Sequence, residues 1–373
     1  MSKINLESII NKSPYIFFFL VVDEFLDIEV SGLNNFEKIY LSDYPLIKEK
    51  NSGKLLSYPK VIDYILKKSK ETNLIPAIIP FKPSAKIDFI CQKYNWINIS
   101  VPSPINRFLE DKIKFPKLCQ KYNLPIIPFS LDKFSEKNFL NYQKKYGQKL
   151  VIQTHFGWAG NSTFSASSWK EIEDKIAKDV LVKYSPFIET SYSLLNNCCL
   201  TKFGLLQSPV ALQYTGIEPF TKNPFTTVGR QWPSFAPSNI IKKVKTITKD
   251  FGKILNDIGY KGCFGLDFLI KDSEVFLLEC NPRLTASFAF YYQIEHELKI
   301  NPLFYFHIAE FLKLDYKIDL KIEQSRFIDE RISGSELTPK NKENHTYKKL
   351  NFSYPLSKTP NPISIPKNLD EKN

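Results

Sequence analysis

The sequence predicts an α/β layer followed by a larger α+β unit of two lobes, and three features carry that reading. Over the first hundred residues short, wholly apolar runs alternate with amphipathic stretches, the pattern of parallel strands buried on both faces and the helices that cross between them. Beyond residue 107 the strands come in hairpin-like succession with short turns, which predicts antiparallel pairing. Two strands near the end, 262–270 and 274–281, carry acids and an amide where apolar residues belong.

A chain of 373 residues, 43% hydrophobic and 24% charged, predicts two or three domains with ample core and excludes a disulfide-stapled mini-protein or a disordered chain. YIFFFLVV at 15–22 runs straight into Asp23 and Glu24 and is far short of the ~18 residues a membrane span needs. It therefore reads as a buried strand, and the polar residues before it do not make a signal peptide. A soluble protein of the cytoplasm, with no membrane partner, is expected. The runs EKIYLSDYP (37–45), LIPAIIP (74–80) and INISVP (97–102) alternate with helical VIDYILKKSKE (61–71) and KIDFICQKYN (86–95). No glycine-rich turn opens these helices, so dinucleotide binding is not supported. The joint VPSPIN at 101–106 closes a first domain, 1–105.

The segment 106–190 reads as a second unit: one helix from 107 through FLEDKIKFPKLCQKYN, the turn LPIIPFS, a helix around 134–146, the strand KLVIQ (149–153), a loop rich in Gly and Ser, a helix WKEIEDKIAKD (169–179) and the strand VLVKY (180–184). The segment 191–315 reads as a third. It has antiparallel strands over 191–217, a loop rich in Pro, Asn and aromatics over 218–238, a long helix up to the glycine stop at 259, the two acid-bearing strands joined by KDS, and a helix near 301–313. Residues 316–373 lose periodicity and form an extension with poor order expected from about 340. No internal repeat is seen.

The formal charge of +12 comes from 51 Lys and Arg against 39 Asp and Glu, but only five are arginines, at 107, 230, 283, 326 and 331. The lysines are scattered, with local enrichment at 241–249 and 342–349, and read as solvated faces instead of a phosphate-backbone track. No nucleic-acid partner is expected. Six cysteines, at 91, 119, 198, 199, 263 and 280, show no CxxC and no His at metal-ligand spacing, so reduced thiols and no zinc site are expected.

The hairpin 262–281 carries the chemistry. Asp267 and Glu279 lie on adjacent strands, and Asn281 shares a face with Glu279 because strand side chains repeat every second residue. Two carboxylates and an amide aimed at one side are hard oxygen ligands for Mg²⁺, since burying carboxylates without a cation is costly. The alternative is an exposed face with incidental acids. The loop HFGWAGNST reads as a lid over phosphate, in which Gly157 and Gly160 let backbone N–H groups approach an anion while Asn161, Ser162 and Thr163 add small donors. It is not a Walker loop. An ordinary hairpin loop is the alternative, and Trp158 either caps a substrate or packs.

GLDFLI followed by LLECNPR resembles the metal-binding end of the ATP-grasp fold, the superfamily of biotin carboxylase, carbamoyl-phosphate synthetase and many carboxylate–amine ligases. Upstream, LEDKIKFPKLCQKYNLPIIP (109–128), KLVIQTHFGWAGNSTF (149–164) and VLVKYSPFIE (180–189) resemble its phosphate segment, glycine loop and adenine hinge, in family order. The resemblance spans about residues 100–312 and implies an ATP-grasp fold, two α+β lobes clasping ATP, preceded by a small parallel α/β domain. It implies that Lys112 reaches the nucleotide phosphates, that Lys183 and Tyr184 form the hinge whose backbone reads adenine, and that Leu269 floors the base. Glu189 either accepts from a ribose hydroxyl or is surface charge. The family has a lysine where this chain has Gln153, which donates a hydrogen bond but brings no charge. Charge stabilisation then falls on Lys112, Mg²⁺ (or Mn²⁺) and arginine, or the chain is a nucleotide-binding pseudoenzyme. Arg283 of CNPRLTASF, by the resemblance, holds an acyl phosphate or small carboxylate, with a structural ion pair as the alternative. Arg230 is a further candidate for substrate carboxylate, and His155 reads as a packing or hydrogen-bonding residue.

The activity so implied is an ADP-forming ligation of a small-molecule carboxylate and an amine through an acyl phosphate, with ATP and Mg²⁺ as cofactors. Carboxylation, phosphoryl transfer and a regulatory nucleotide-binding protein are the alternatives. An oligomer is possible.

Overall fold

The computed structural model describes residues 4–157, 162–189, 191–218, 220–326 and 332–338. Its first layer is a four-stranded parallel sheet in the order β2-β1-β3-β4, from β1 (Tyr15–Val21), β2 (Phe36–Tyr40), β3 (Ile75–Pro80) and β4 (Ile97–Asn98). Unbroken apolarity in β1 has a direct cause, because both faces are covered. Phe17, Phe19 and Val21 join a core with Leu303, Phe304 and Ile308, while Ile16, Phe18 and Leu20 join a second core with Val61, Ile65, Ile87 and Ile90. Each fully buried Phe is worth roughly 1.5–3 kcal/mol.

The second sheet is antiparallel, in the order β5-β8-β6-β7, with β5 (Ser130–Lys133), β6 (Leu150–Gln153), β7 (Thr163–Ala166) and β8 (Leu181–Pro186). Here the period is two. Leu150, Ile152, Val182 and Tyr184 pack inward with Phe134 and Phe139, so Val151, Gln153, Lys183 and Ser185 stand on the opposite face, which lines a cleft.

The third sheet has β9 (Tyr192–Thr201) at its centre, with β10 (Gly204–Gln207) paired to it alongside β13 (Gly262–Lys271). β11 (Ala211–Thr215), β12 (Thr227–Trp232), β14 (Glu274–Asn281) and β15 (Gly334–Leu337) complete the order β14-β13-β9-β11-β12-β15. The amphipathic helix Ser238–Asp257 covers one face, burying Val244, Phe251 and Leu255 against Leu194, Phe264 and Phe268.

Several elements differ from the sequence reading. The helix expected over 169–179 is only a short 3₁₀ turn, Trp169–Glu171, whose Trp169 stacks near Phe134 at 4.8 Å. The single helix expected from 107 is two, Ser103–Glu110 and Lys114–Lys121, broken at Asp111. β12 lies in the segment read as loop, and helix Ser287–Glu297 precedes helix Leu303–Phe311. β15 falls within the expected C-terminal extension yet pairs with β12. The disorder expected from about 340 concerns residues outside those described. All six cysteines are buried and unpaired. Among the described residues no helix is long and apolar enough to cross a membrane.

Candidate nucleotide and metal site

A cleft of about 680 Å³ lies between the second and third sheets and also meets Phe25, Phe81 and Lys82 of the first layer. Its deepest chemistry is the β13–β14 hairpin. Asp267 pairs directly with Glu279 and Gly265 with Asn281, and a bulge after Asp267 leaves Leu278 as the extra residue. Asp267, Leu269, Glu279 and Asn281 all line the cleft, whereas Leu266, Phe268 and Ile270 point into the core beneath. The faces therefore lie as the alternation expects.

The carboxylates are bridged by donors. Asn281 Nδ2 donates to Asp267 Oδ2 at 2.8 Å and to Glu279 Oε1 at 3.3 Å, and Gln213 Nε2 of β11 donates to Asp267 Oδ1 at 2.6 Å. Lys112 Nζ meets Glu279 Oε2 at 2.6 Å. Burial and the facing Glu279 raise the Asp267 pKa, while Lys112 outweighs burial to hold Glu279 low. Glu279 in turn keeps Lys112 protonated against the pull of burial. Two facing carboxylates, one driven toward protonation, form a donor set that suits a hard divalent cation. Asn281 turns its nitrogen to the acids because its Oδ1 accepts from Arg283 at 3.0 Å; rotation of the amide would present oxygen instead. No third His, Cys, Asp or Glu joins this pair among the described residues.

Lys112 is held by its neighbours. Asp111 accepts from the backbone N–H groups of Ile113 and Lys114 at 2.9 and 3.2 Å, capping the helix that follows, and its carboxylate lies 3.0 Å from His155 Nδ1. The Lys112 N–H donates to the His155 carbonyl at 2.9 Å, tying this corner to the segment after β6. His155 thus fixes the corner, and Asp111, which the sequence reading passed over, breaks the helix so that Lys112 turns inward.

Arg283 is 7% exposed. The strand ends at Asn281, so its direction comes from bonds instead of alternation. Nε donates to Glu110 Oε1 at 2.8 Å, a second nitrogen to the Leu284 carbonyl at 3.1 Å, and the guanidinium stacks over Phe81 at 4.8 Å. Glu110, also 2.8 Å from Lys82, is kept ionised by Arg283 and Lys82 despite burial. Glu110 and Gln213 were not among the expected site residues. Glu110 stood in the LEDK stretch two residues before Lys112; Gln213 carried no sequence signal.

On the opposite wall Gln153 Nε2 donates to Thr163 Oγ1 at 2.9 Å. Lys183 lines the cleft, and burial together with Lys112 brings its pKa down to about 8. Tyr184 turns away into the lobe core, stacked on Tyr142 at 4.7 Å, and is not among the residues that line the cleft. A Cβ on Gly157 would sit 2.8 Å from the Ser162 backbone nitrogen, so only glycine permits this close approach at the base of the loop. Ser162 is buried, and among the described residues its hydroxyl has no partner. Trp158, Gly160 and Asn161 lie outside the described residues. Glu189 is exposed beyond the end of β8. Arg230 lines the cleft but is ion-paired to Glu336 of β15.

Two α+β lobes and a lysine turned onto a carboxylate hairpin thus form the walls of one cleft. Residues 107–287, just under half of the chain, match the family model of the ATP-grasp domain, and that segment carries the ATP-grasp fold. The chain is 20% identical over 270 residues to the C-terminal section of the carbamoyl phosphate synthase large chain of Methanocaldococcus jannaschii, a match covering 70% of this chain and 42% of that protein, so the chain spans less than half of that relative. In fold it is similar to biotin carboxylase from Campylobacter jejuni (TM-score 0.60, 13% identity, 82% of this chain and 72% of that one). It is likewise similar to carboxyaminoimidazole ribonucleotide synthase from Aspergillus clavatus, solved with ATP (TM-score 0.57, 12% identity, 82% and 78%).

Proposed function

We propose that the chain is an ATP- and Mg²⁺-dependent, ADP-forming ligase that joins a small-molecule carboxylate to an amine. The observation that carries this reading is the convergence of Lys112 with Glu279, 2.6 Å apart from segments 167 residues distant, on the hairpin that holds Asp267 and Asn281. Asp267, Glu279 and, after amide rotation, Asn281 would hold the cation, which supplies charge neutralisation at the phosphates. A carboxylate oxygen of the substrate attacks the γ-phosphorus, the bond to the β-phosphate oxygen breaks, and ADP leaves. The amine nitrogen then attacks the acyl carbon, losing a proton as phosphate departs. Lys112 orients the phosphates, and Arg283, preset by Glu110, absorbs charge that develops on the transferring group. Leu269 and the backbone at Lys183 and Tyr184 would receive the base.

The same proposal includes a first domain over 1–105, lobes over 106–190 and 191–315, an extension from 316, and a cytoplasmic site of action. Three separate sheets support the first three divisions, although β15 ties part of the extension to the third sheet.

A second reading takes bicarbonate as the carboxylate. It is favoured by the names of the similar structures, a biotin carboxylase and a carboxyaminoimidazole ribonucleotide synthase. One experiment separates the readings: ADP and phosphate release screened against pooled amino acids, other small carboxylates and bicarbonate, with and without amines. The ligase reading expects release that needs both a carboxylate and an amine. Release on bicarbonate alone transfers the assignment to carboxylation, and ATP binding without release in any pool leaves a nucleotide-binding protein without turnover.

A further inference from the structure

We propose that the Lys183 side chain supplies the nucleotide phosphates with the positive charge that Gln153 lacks, so that the charged group of this wall stands on β8 instead of β6. The inference deepens the nucleotide reading above and rests on it.

Register is the first argument. Gln153 of β6 pairs with Lys183 on one side and with Thr163 on the other, and directly opposed residues of antiparallel strands share a face. Their neighbours Ile152 and Tyr184 go into the lobe core. Thr163, Gln153 and Lys183 therefore stand abreast, and all three line the cleft that Lys112 and Glu279 enter from the other side. A lysine moved from the middle strand of this trio to its neighbour is displaced sideways by about one strand spacing, ~4.8 Å. That lies within the reach of a lysine side chain.

The second argument is the state of the three side chains. Gln153 already gives its amide nitrogen to Thr163. Among the described residues no hydrogen bond or ion pair holds the Lys183 ammonium, whereas Lys112 has Glu279. A half-buried ammonium beside a second ammonium is unfavourable unless an anion arrives. Burial and Lys112 lower its pKa against the attraction of Glu279, and a polyphosphate would offset the repulsion between the two ammonium groups. Surface lysines usually extend into water; this one lines the cleft that Lys112 and Glu279 share.

The test is calorimetric titration of the full chain with Mg²⁺·ATP and, as a phosphate-free probe, adenosine. Its variants are Lys183→Met and the double variant Gln153→Lys/Lys183→Met. Lys183→Met is expected to weaken ATP roughly 10–100-fold, as loss of a charged hydrogen bond does, with adenosine unchanged. The double variant, with the charge put back on β6, is expected to return to within a few-fold of wild type. The nucleotide-free melting temperature of Lys183→Met is expected to hold or rise, because a half-buried cation beside a second ammonium has been removed.

Any of three binding results overturns the proposal: ATP binding by Lys183→Met equal to wild type, an equal loss for adenosine and ATP, or a double variant no tighter than the single one. A melting temperature lowered in step with affinity also overturns it, marking a structural lysine. Wild type that binds no ATP defeats the nucleotide reading itself, and this proposal with it, before any variant is compared.

Discussion

On β13 and β14 each charged group of the cleft has a partner, whereas on β6, β7 and β8 the polar face holds hydrogen bonds between neutral groups only, Gln153 to Thr163 and Ser185 to the Val151 carbonyl, and a lysine without a partner among the described residues. Glu279 is tied to Lys112, Asp267 to Gln213 and Asn281, and Arg283 to Asn281 and Glu110. Among the described residues Gln153 has Thr163 as its side-chain partner. The contrast is physical. A wall that must stabilise charge as it develops gains from groups fixed in advance, because no reorganisation is then needed during reaction. A wall that receives a ligand carrying its own charge can leave its cation waiting. Alternation on β6 and β8 builds the second wall cheaply in sequence terms, with one polar face over one apolar core.

The tied wall should break hardest when its hidden anchor goes. Glu110→Ala leaves the nearly buried Arg283 and the exposed Lys82 without their shared carboxylate, and removal of one partner from a buried pair such as Arg283–Glu110 typically costs about 3–5 kcal/mol. Urea unfolding should show that loss, and an unchanged midpoint would mean the pair is immaterial. Arg283→Lys keeps a charge but not the fork. Turnover should then fall ~10²–10³ while ATP affinity stays within a few-fold. If melting temperature falls and turnover per folded molecule does not, Arg283 is only an ion-pair residue.

A smaller effect lies behind the same wall. His307, 3% exposed, accepts from the Cys263 N–H with Nδ1 at 2.9 Å and meets the Ile99 carbonyl with Nε2 at 3.2 Å. Both bonds are satisfied only by the neutral ring with its proton on Nε2, and burial lowers the pKa from 6.5 to about 4. A depressed pKa means the unfolded chain takes up the proton first. This stability is therefore present above pH ~6.5 and is lost as pH falls toward 4, by at most ~3 kcal/mol. Melting temperature followed from pH 7.5 to 4.5 should decline less in His307→Gln, whose amide offers an acceptor and a donor but does not titrate. Equal slopes would remove His307 as the cause.

Local patterns carried much of the architecture. The doubly apolar β1 announced a sheet covered on both faces, and the acids of β13 and β14 announced a polar cleft face. Other elements were silent because their signals are tertiary. Helix Ser287–Glu297 buries Phe288, Tyr291, Tyr292, Ile294 and Glu295 around most of its circumference, so it shows no amphipathic stripe. β12 sits in a segment punctuated by Pro and Asn, and its pairing with β11 and β15 was visible only in space. The stretch 169–179 has helical composition, but Ile172 and Ile176 are needed in the small lobe core and the chain follows them. In the site, the residues joined through strand pairing were legible, since alternation fixes their face. Glu110 and Gln213 were not, because their partners lie 173 and 54 residues away and no local period links them.

The central claim is that the carboxylate hairpin and Lys112 form a Mg²⁺·ATP site. The most direct measurement is titration of ATP into the wild-type chain and Glu279→Ala, each with Mg²⁺ and with a chelator, followed by heat and by melting temperature. The account predicts that wild type binds ATP, that Mg²⁺ strengthens binding and raises the melting temperature, and that Glu279→Ala loses the Mg²⁺-dependent part of both. A Mg²⁺ effect of equal size in Glu279→Ala, or wild type indifferent to Mg²⁺, would contradict it.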